Sequence, residues 1–253
     1  MALLKGIKAS RERRDEKQKI ILNFLKCEVV TTQEIVEQLL ACRRQAAWKT
    51  LRGMEQDNLI LQHEFKTEIA RKTIWGLTQH GAALAHPPGA DAQYFEPSRM
   101  GENTLAHDLW LQKIRLRAER AGWKNWKNDK QIRRLVGQVS KAGKGRSEWI
   151  RIPDGVATTP SGEVVAVEVE RTVKAPKRYS YIMSTYLQMI SKKTIQRVHY
   201  VCVTPSVRDR VSAAFRALRS VPVDGAQVGI DEKHQAKFDF FTIDEWLSKE
   251  QTQ

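Results

Sequence analysis

Three carboxylates stand close enough in the stretch EWIRIPDGVATTPSGEVVAVEVERT, residues 148–172, to act together: Asp154, Glu168 and Glu170. Two β-like runs flank the turn TTPSG, so the stretch reads as a hairpin. Period-two alternation puts Glu168 and Glu170 on one face with Val164 and Ala166, and turns Val165, Val167 and Val169 to the other. With the turn near Ser161, paired positions have numbers summing to about 322, which sets Asp154 opposite Glu168 with Cβ atoms about 5 Å apart. Like charges at that range oppose each other's ionisation unless a cation neutralises them. A hard divalent ion, Mg²⁺ or Mn²⁺, takes carboxylate oxygens, keeps positions for water and a substrate phosphate, and activates the water; the chemistry would be phosphodiester cleavage. The same pattern also reads as a solvated strand face paired with Arg151 and Arg171.

Other reactive side chains give weaker signals. Tyr179, Tyr181 and Tyr186 suggest a covalent tyrosine nucleophile, yet Tyr179 and Tyr186 keep helical step with Met183 and Ile190, the pattern of core packing. The six histidines are scattered, so no histidine cluster for a metal is encoded, and His107 shares a helix face with Leu111, Ile114 and Ala118. Cys27, Cys42 and Cys202 form no CxxC pair, which excludes a disulfide framework and a cysteine zinc site.

The elements that must position these groups fall into two parts. In the first, Ile20, Ile21, Phe24 and Leu25 mark a helix, and Thr31 with Glu34 has capping-box spacing before a short second helix marked by Ile35, Leu39 and Leu40. A third helix, CRRQAAWKTLRGMEQDN, turns Ala47, Leu51 and Met54 inward and presents Gln45, Trp48, Lys49, Arg52 and Gln56 outward, with Arg44 a further DNA-binding candidate. Gln and Arg forks bond base edges in pairs, so this face suits a major groove. Two short β runs around KTEIARK follow, with Lys66, Arg71 and Lys72 at the tip, then TQHGAALA as a small helix. The order resembles a winged helix-turn-helix over about residues 10–86, which makes residues 1–86 the first domain. Its alternative role is dimerisation or protein contact. Residues 87–101, rich in Pro and Gly, read as a linker, and residues 102–253 as the second domain.

Among 253 residues, 43 are Lys or Arg and 29 are Asp or Glu, for a net charge of +14, which points to a polyanionic partner. Most of the excess falls in residues 113–146, where twelve basic side chains face only Glu119 and Asp129. Lys124, Lys127 and Lys130, interleaved with Trp110, Trp123 and Trp126, suit backbone tracking and base stacking on double- or single-stranded DNA. No apolar run is long enough for a membrane span and the start is too charged for a signal peptide, so a cytoplasmic location without membrane partners is expected.

A helix at 102–121, strands bearing PDG and ExE, the helix PKRYSYIMSTYLQMISKK, the strand VHYVCVT and a further helix follow one another. This α+β series resembles the restriction-endonuclease-like PD-(D/E)XK fold, αβββαβ. The resemblance implies that Asp154 and Glu168 hold the metal, with Glu170 where most members have lysine and Lys174 as a candidate for the lysine's role. The whole chain resembles the plasmid mobilisation MobC-type relaxases and the related replication-relaxation proteins, through a winged helix, PDG, VEVERT and a helix carrying Tyr186 to Lys193. That implies recognition of a plasmid transfer origin and a metal-dependent, strand-specific nick, with an auxiliary mobilisation protein and a coupling protein as partners. Two alternatives stay open: a non-catalytic DNA-binding accessory or regulator, and a double-strand restriction-type endonuclease.

Overall fold

The structure is a computed structural model that describes residues 2–66, 71–90, 92–141, 148–223 and 225–249. The chain divides into two compact units, 1–113 and 114–253.

In the first unit a 27-residue helix α1 (Ala2–Glu28) leads into strand β1 (Val30–Thr31), helix α2 (Gln33–Leu39) and helix α3 (Arg44–Gln56). Strands β2 (Ile60–Lys66) and β3 (Arg71–Leu77) form an antiparallel hairpin, and helix α4 (Gln79–Ala85) follows. Strand β1 adds to β3, giving the order β1-β3-β2. The three helices and hairpin come in the expected order. Ile21, Leu25, Val36, Ala47, Leu51, Met54 and Trp75 form the core, so the apolar face read for α3 is the buried one. The cap of α2 differs from expectation by one residue. Thr32 is the N-cap, its hydroxyl accepting from the Ile35 N–H, while Thr31 is buried in β1. The stretch read as a linker packs on this unit: Phe95 is buried and its N–H donates to the Leu77 carbonyl at 2.8 Å.

Helix α5 (Glu102–Arg120) carries the division between the units. Beyond it come β4 (Lys124–Asn128), α6 (Asp129–Lys141), β5 (Gly155–Thr158), β6 (Val164–Glu170), α7 (Pro176–Ser191), β7 (Arg197–Cys202) and α8 (Pro205–Arg216). The hairpin β8 (Ser220–Val223) and β9 (Ala226–Gly229), helix α9 (Glu232–Gln235), β10 (Phe238–Thr242) and α10 (Ile243–Lys249) complete the unit. Five strands form a mixed sheet in the order β10-β7-β6-β5-β4. The crossover helix α7 makes β6 and β7 parallel, β10 runs parallel to β7, and β4, β5 and β6 meander antiparallel.

The β5–β6 register is the expected one: Gly155 faces Val167 and Thr158 faces Val164. Gly162, at φ 92°, takes the left-handed position that closes the turn, and Thr159 N–H donates to the Glu163 carbonyl at 2.8 Å. Ala166, Val198, Tyr200 and Cys202 share a core cluster with Tyr179, Met183 and Tyr186 of α7 and with Phe215 of α8. The opposite face, with Val165, Val167, Val169, His199 and Val201, is buried as well. Strand β6 is therefore central and covered on both sides, which is why all its residues but Glu168 and Glu170 are valine or alanine.

Two expectations about the basic window need correction. Trp123 and Trp126 are 3% and 8% exposed, so neither is offered to a base. Trp123 packs edge-on against His199 and Trp246, and Trp126 lies against Gly155, where a Cβ would come within 2.6 Å of the indole. The glycine of PDG thus has a packing reason. Lys144 and Arg146 lie outside the described residues.

Candidate functional site

The first candidate surface is the outer face of α3. Arg44, Gln45, Trp48 and Lys49 are exposed, Trp48 to 48%, while Ala47, Leu51 and Met54 on the opposite side are fully buried. An indole half in solvent beside Gln and Lys is not a core residue. Arg52 lies on this face but is committed: it pairs with Glu55, whose other oxygen accepts the Gln62 N–H at 3.4 Å. Lys72 is exposed on β3. Arg44 and Lys72 line one cleft of about 520 Å³ with Glu34, Trp110 and Lys113. There Lys113 pairs with Glu34 at 2.7 Å and sits 5.5 Å from the Trp110 ring.

In the second unit Lys124 is exposed and Lys127 half-buried on β4, an edge strand of the sheet, and Lys130 is half-buried in the first turn of α6. Lysines on an edge strand also discourage pairing with other strands.

The second candidate is the carboxylate centre. Glu168 and Glu170 are 6% and 4% exposed, which excludes a solvated strand face. Their neighbours across the parallel pair are Tyr200 and Cys202. The Glu168 carboxylate accepts from Arg151 Nε at 2.9 Å and from the Tyr186 hydroxyl through the same oxygen, Oε1. The Arg151 guanidinium lies 5.4 Å from the Tyr186 ring. Glu170 pairs with the Lys174 ammonium. Asp154 Oδ2 accepts the Val169 N–H at 2.8 Å, so this side chain continues the β5–β6 ladder by one bond. The Asp154 carbonyl accepts the Asp129 N–H at 3.1 Å.

Burial and the neighbouring cations act on Glu168 and Glu170 in opposite directions. Burial pushes the Glu168 carboxyl up and the charge of Asp154 adds to it, while Arg151 and the Tyr186 hydroxyl oppose the shift. Burial also raises Glu170; Lys174 counters it and Asp154 adds a smaller push upward. Tyr186 is held well above the ordinary phenol range, by burial and then by Glu168. A fully buried phenol donating to a carboxylate is not placed as a nucleophile. Tyr179 is fully buried too, its oxygen accepting the Lys174 N–H at 2.9 Å, whereas Tyr181 is 62% exposed. Cys202 is fully buried, and burial pushes its thiol up to about 12.

Among the described residues no group of three or more His, Cys, Asp and Glu side chains is arranged to hold a metal ion. Each carboxylate already has a partner on at least one oxygen, two of them cationic, so the three do not fit Mg²⁺ or Mn²⁺ as they stand. Two participants are hidden in the sequence. Arg151 reads there only as a surface partner. Tyr200, whose buried hydroxyl has no hydrogen-bond partner among the described residues, reads only as part of an apolar strand. The register Glu168↔Tyr200 reveals the second, and it depends on the parallel pairing.

No helix among the described residues is long and apolar enough to cross a membrane. Comparison with curated proteins finds no match. Among solved structures, an apo C30AH42A mutant of Lactococcus lactis ZitR is similar at 17% identity and a TM-score of 0.25, covering 56% of this chain and 91% of that one. That likeness is too slight to bear on fold or function. The replication-relaxation family model matches residues 22–203, from the first helix through the end of β7, and the chain belongs to that family.

Proposed function

We propose that this protein binds duplex DNA at an origin of plasmid transfer or replication, using the first unit as a winged helix. The observation that carries the reading is the division of α3: Gln45, Trp48 and Lys49 project into solvent from a helix whose other face is locked in the core. Two exposed residues with base-edge or phosphate chemistry and an aromatic between them form a reading surface. Lys72 on the hairpin, and Lys124, Lys127 and Lys130 in the second unit, add phosphate neutralisation on double- or single-stranded DNA.

The finer reading is that the second unit is a restriction-endonuclease-like domain that nicks one strand before conjugative transfer, with an auxiliary mobilisation protein and a coupling protein as partners. Asp154, Glu168, Glu170 and Lys174 are its candidate residues, and Tyr181 is the one exposed tyrosine among the three considered as nucleophile. Supercoiled origin plasmid should become open circles, while Asp154→Asn and Glu168→Gln proteins bind it and leave it intact. Linear product would point to a double-strand endonuclease. Mg²⁺, Mn²⁺ and chelator belong in the same assay. A non-catalytic accessory role is favoured by one observation: the carboxylates are already bonded within the protein. Tight, specific binding with no cleavage in any of these conditions would establish it.

A further inference from the structure

The sheet places two basic side chains on the carboxylate centre from outside the strands that build it. Arg151 lies ahead of β5 and reaches Glu168, and Lys174 lies beyond the end of β6 and reaches back to Glu170. Arg151 is held on two sides, by the Glu168 oxygen at 2.9 Å and by the face of Tyr186. Glu168 Oε1 accepts from both Arg151 and Tyr186, Glu170 Oε2 from Lys174 and Asp154 Oδ2 from a backbone N–H, and among the described residues the three carboxylates form no group arranged to hold a metal ion. A divalent ion bound through these same oxygens would strip Glu168 and Glu170 of their partners and leave a guanidinium and an ammonium, each side chain only 22% exposed, without their counter-charges.

We infer that Arg151 and Lys174 are the counter-ions of this centre, taking the place of a divalent cation, and that the chain binds no divalent ion at Asp154, Glu168 and Glu170. This deepens the reading of the same residues as the place where a strand would be cut, and rests on it only for the choice of site.

Manganese titration of the full chain, followed by electron paramagnetic resonance of free Mn²⁺ and by calorimetry, tests it. The wild-type protein should show no saturable site at millimolar Mn²⁺. An Arg151→Gln/Lys174→Gln protein should gain one, at least tenfold tighter than any wild-type binding, and adding Glu168→Gln should remove it. If the double variant does not fold, Lys174→Gln alone serves, since it removes only the partner of Glu170. A saturable wild-type site lost in Glu168→Gln would overturn the inference, as would folded variants that gain nothing. Plasmid nicking by the same preparations separates this from the proposed activity. Cutting that requires Mn²⁺ and follows its binding overturns the inference and leaves the nicking reading standing. Absence of cutting together with the expected titration does the reverse.

Discussion

Thr31 and Gln112, 81 residues apart, share a fully buried hydrogen bond of 2.9 Å from the threonine hydroxyl to Gln112 Oε1. Gln112 Nε2 in turn donates to the Val30 carbonyl at 2.8 Å, so one amide of α5 satisfies both residues of β1. Gln112→Leu would leave a buried hydroxyl and a carbonyl without that partner. Urea unfolding should show a loss of about 1–3 kcal/mol. An unchanged midpoint would mean that the amide is not needed there.

Two tryptophans of the first unit should behave oppositely. Trp48 is 48% exposed and Trp75 is 1% exposed. Trp48→Ala should leave the melting temperature nearly unchanged and weaken binding to a cognate duplex about tenfold or more, as loss of an interface aromatic does. Trp75→Ala should cost about 3–5 kcal/mol of stability. Thermal melts and fluorescence anisotropy on both variants separate reading from packing.

The salt dependence of DNA binding should be set chiefly by the second unit. Glutamine at Lys124, Lys127 and Lys130 together should reduce the slope of log affinity against log salt by about 0.9 for each phosphate that is no longer neutralised. Lys72→Gln on the hairpin should change it less. Anisotropy titrations across a salt series decide, and the opposite order of effects would move the nonspecific grip to the hairpin.

His199 makes stability depend on pH. Burial lowers its folded value to about 4; Asp239 pulls it upward and Arg197 downward by smaller amounts. Trp246 Nε1 donates to its Nδ1 at 3.1 Å, which requires that nitrogen to be unprotonated. The folded value lies below the unfolded value of about 6.5, so the neutral ring's contribution is complete above pH 6.5 and is lost as pH falls toward 4. The loss should reach about 3 kcal/mol. Glu168 and Glu170 are raised and act in the opposite sense, so the comparison is between wild type and His199→Gln: urea melts of the variant should lack this fall.

What could be read ahead of the structure was local. The TTPSG turn is enough to give the β5–β6 register, Gly155 opposite Val167 through Thr158 opposite Val164, because turn chemistry and a period of two are decided within a few residues. The inward face of α3 followed from Ala47, Leu51 and Met54 alone. Thr31 met the spacing of a cap, but a partner 81 residues away draws its hydroxyl into the interior, and Thr32 caps instead. Strand β4 was hidden because its lysines look like a solvated run, while the buried Trp126 that marks it resembles a stacking residue. Arg151 is legible as a cationic partner for the carboxylates, but its burial with Glu168 and the hydroxyl of Tyr186 from α7 depend on the tertiary fold.

Selection of duplexes from a randomised pool by the full chain, compared with a Gln45→Ala/Lys49→Ala protein of equal stability, tests the central claim most directly. Wild type should enrich one sequence, and the variant should lose that enrichment while keeping salt-sensitive, nonspecific binding. Equal enrichment by both proteins, or none by wild type, would contradict a DNA-reading role for α3.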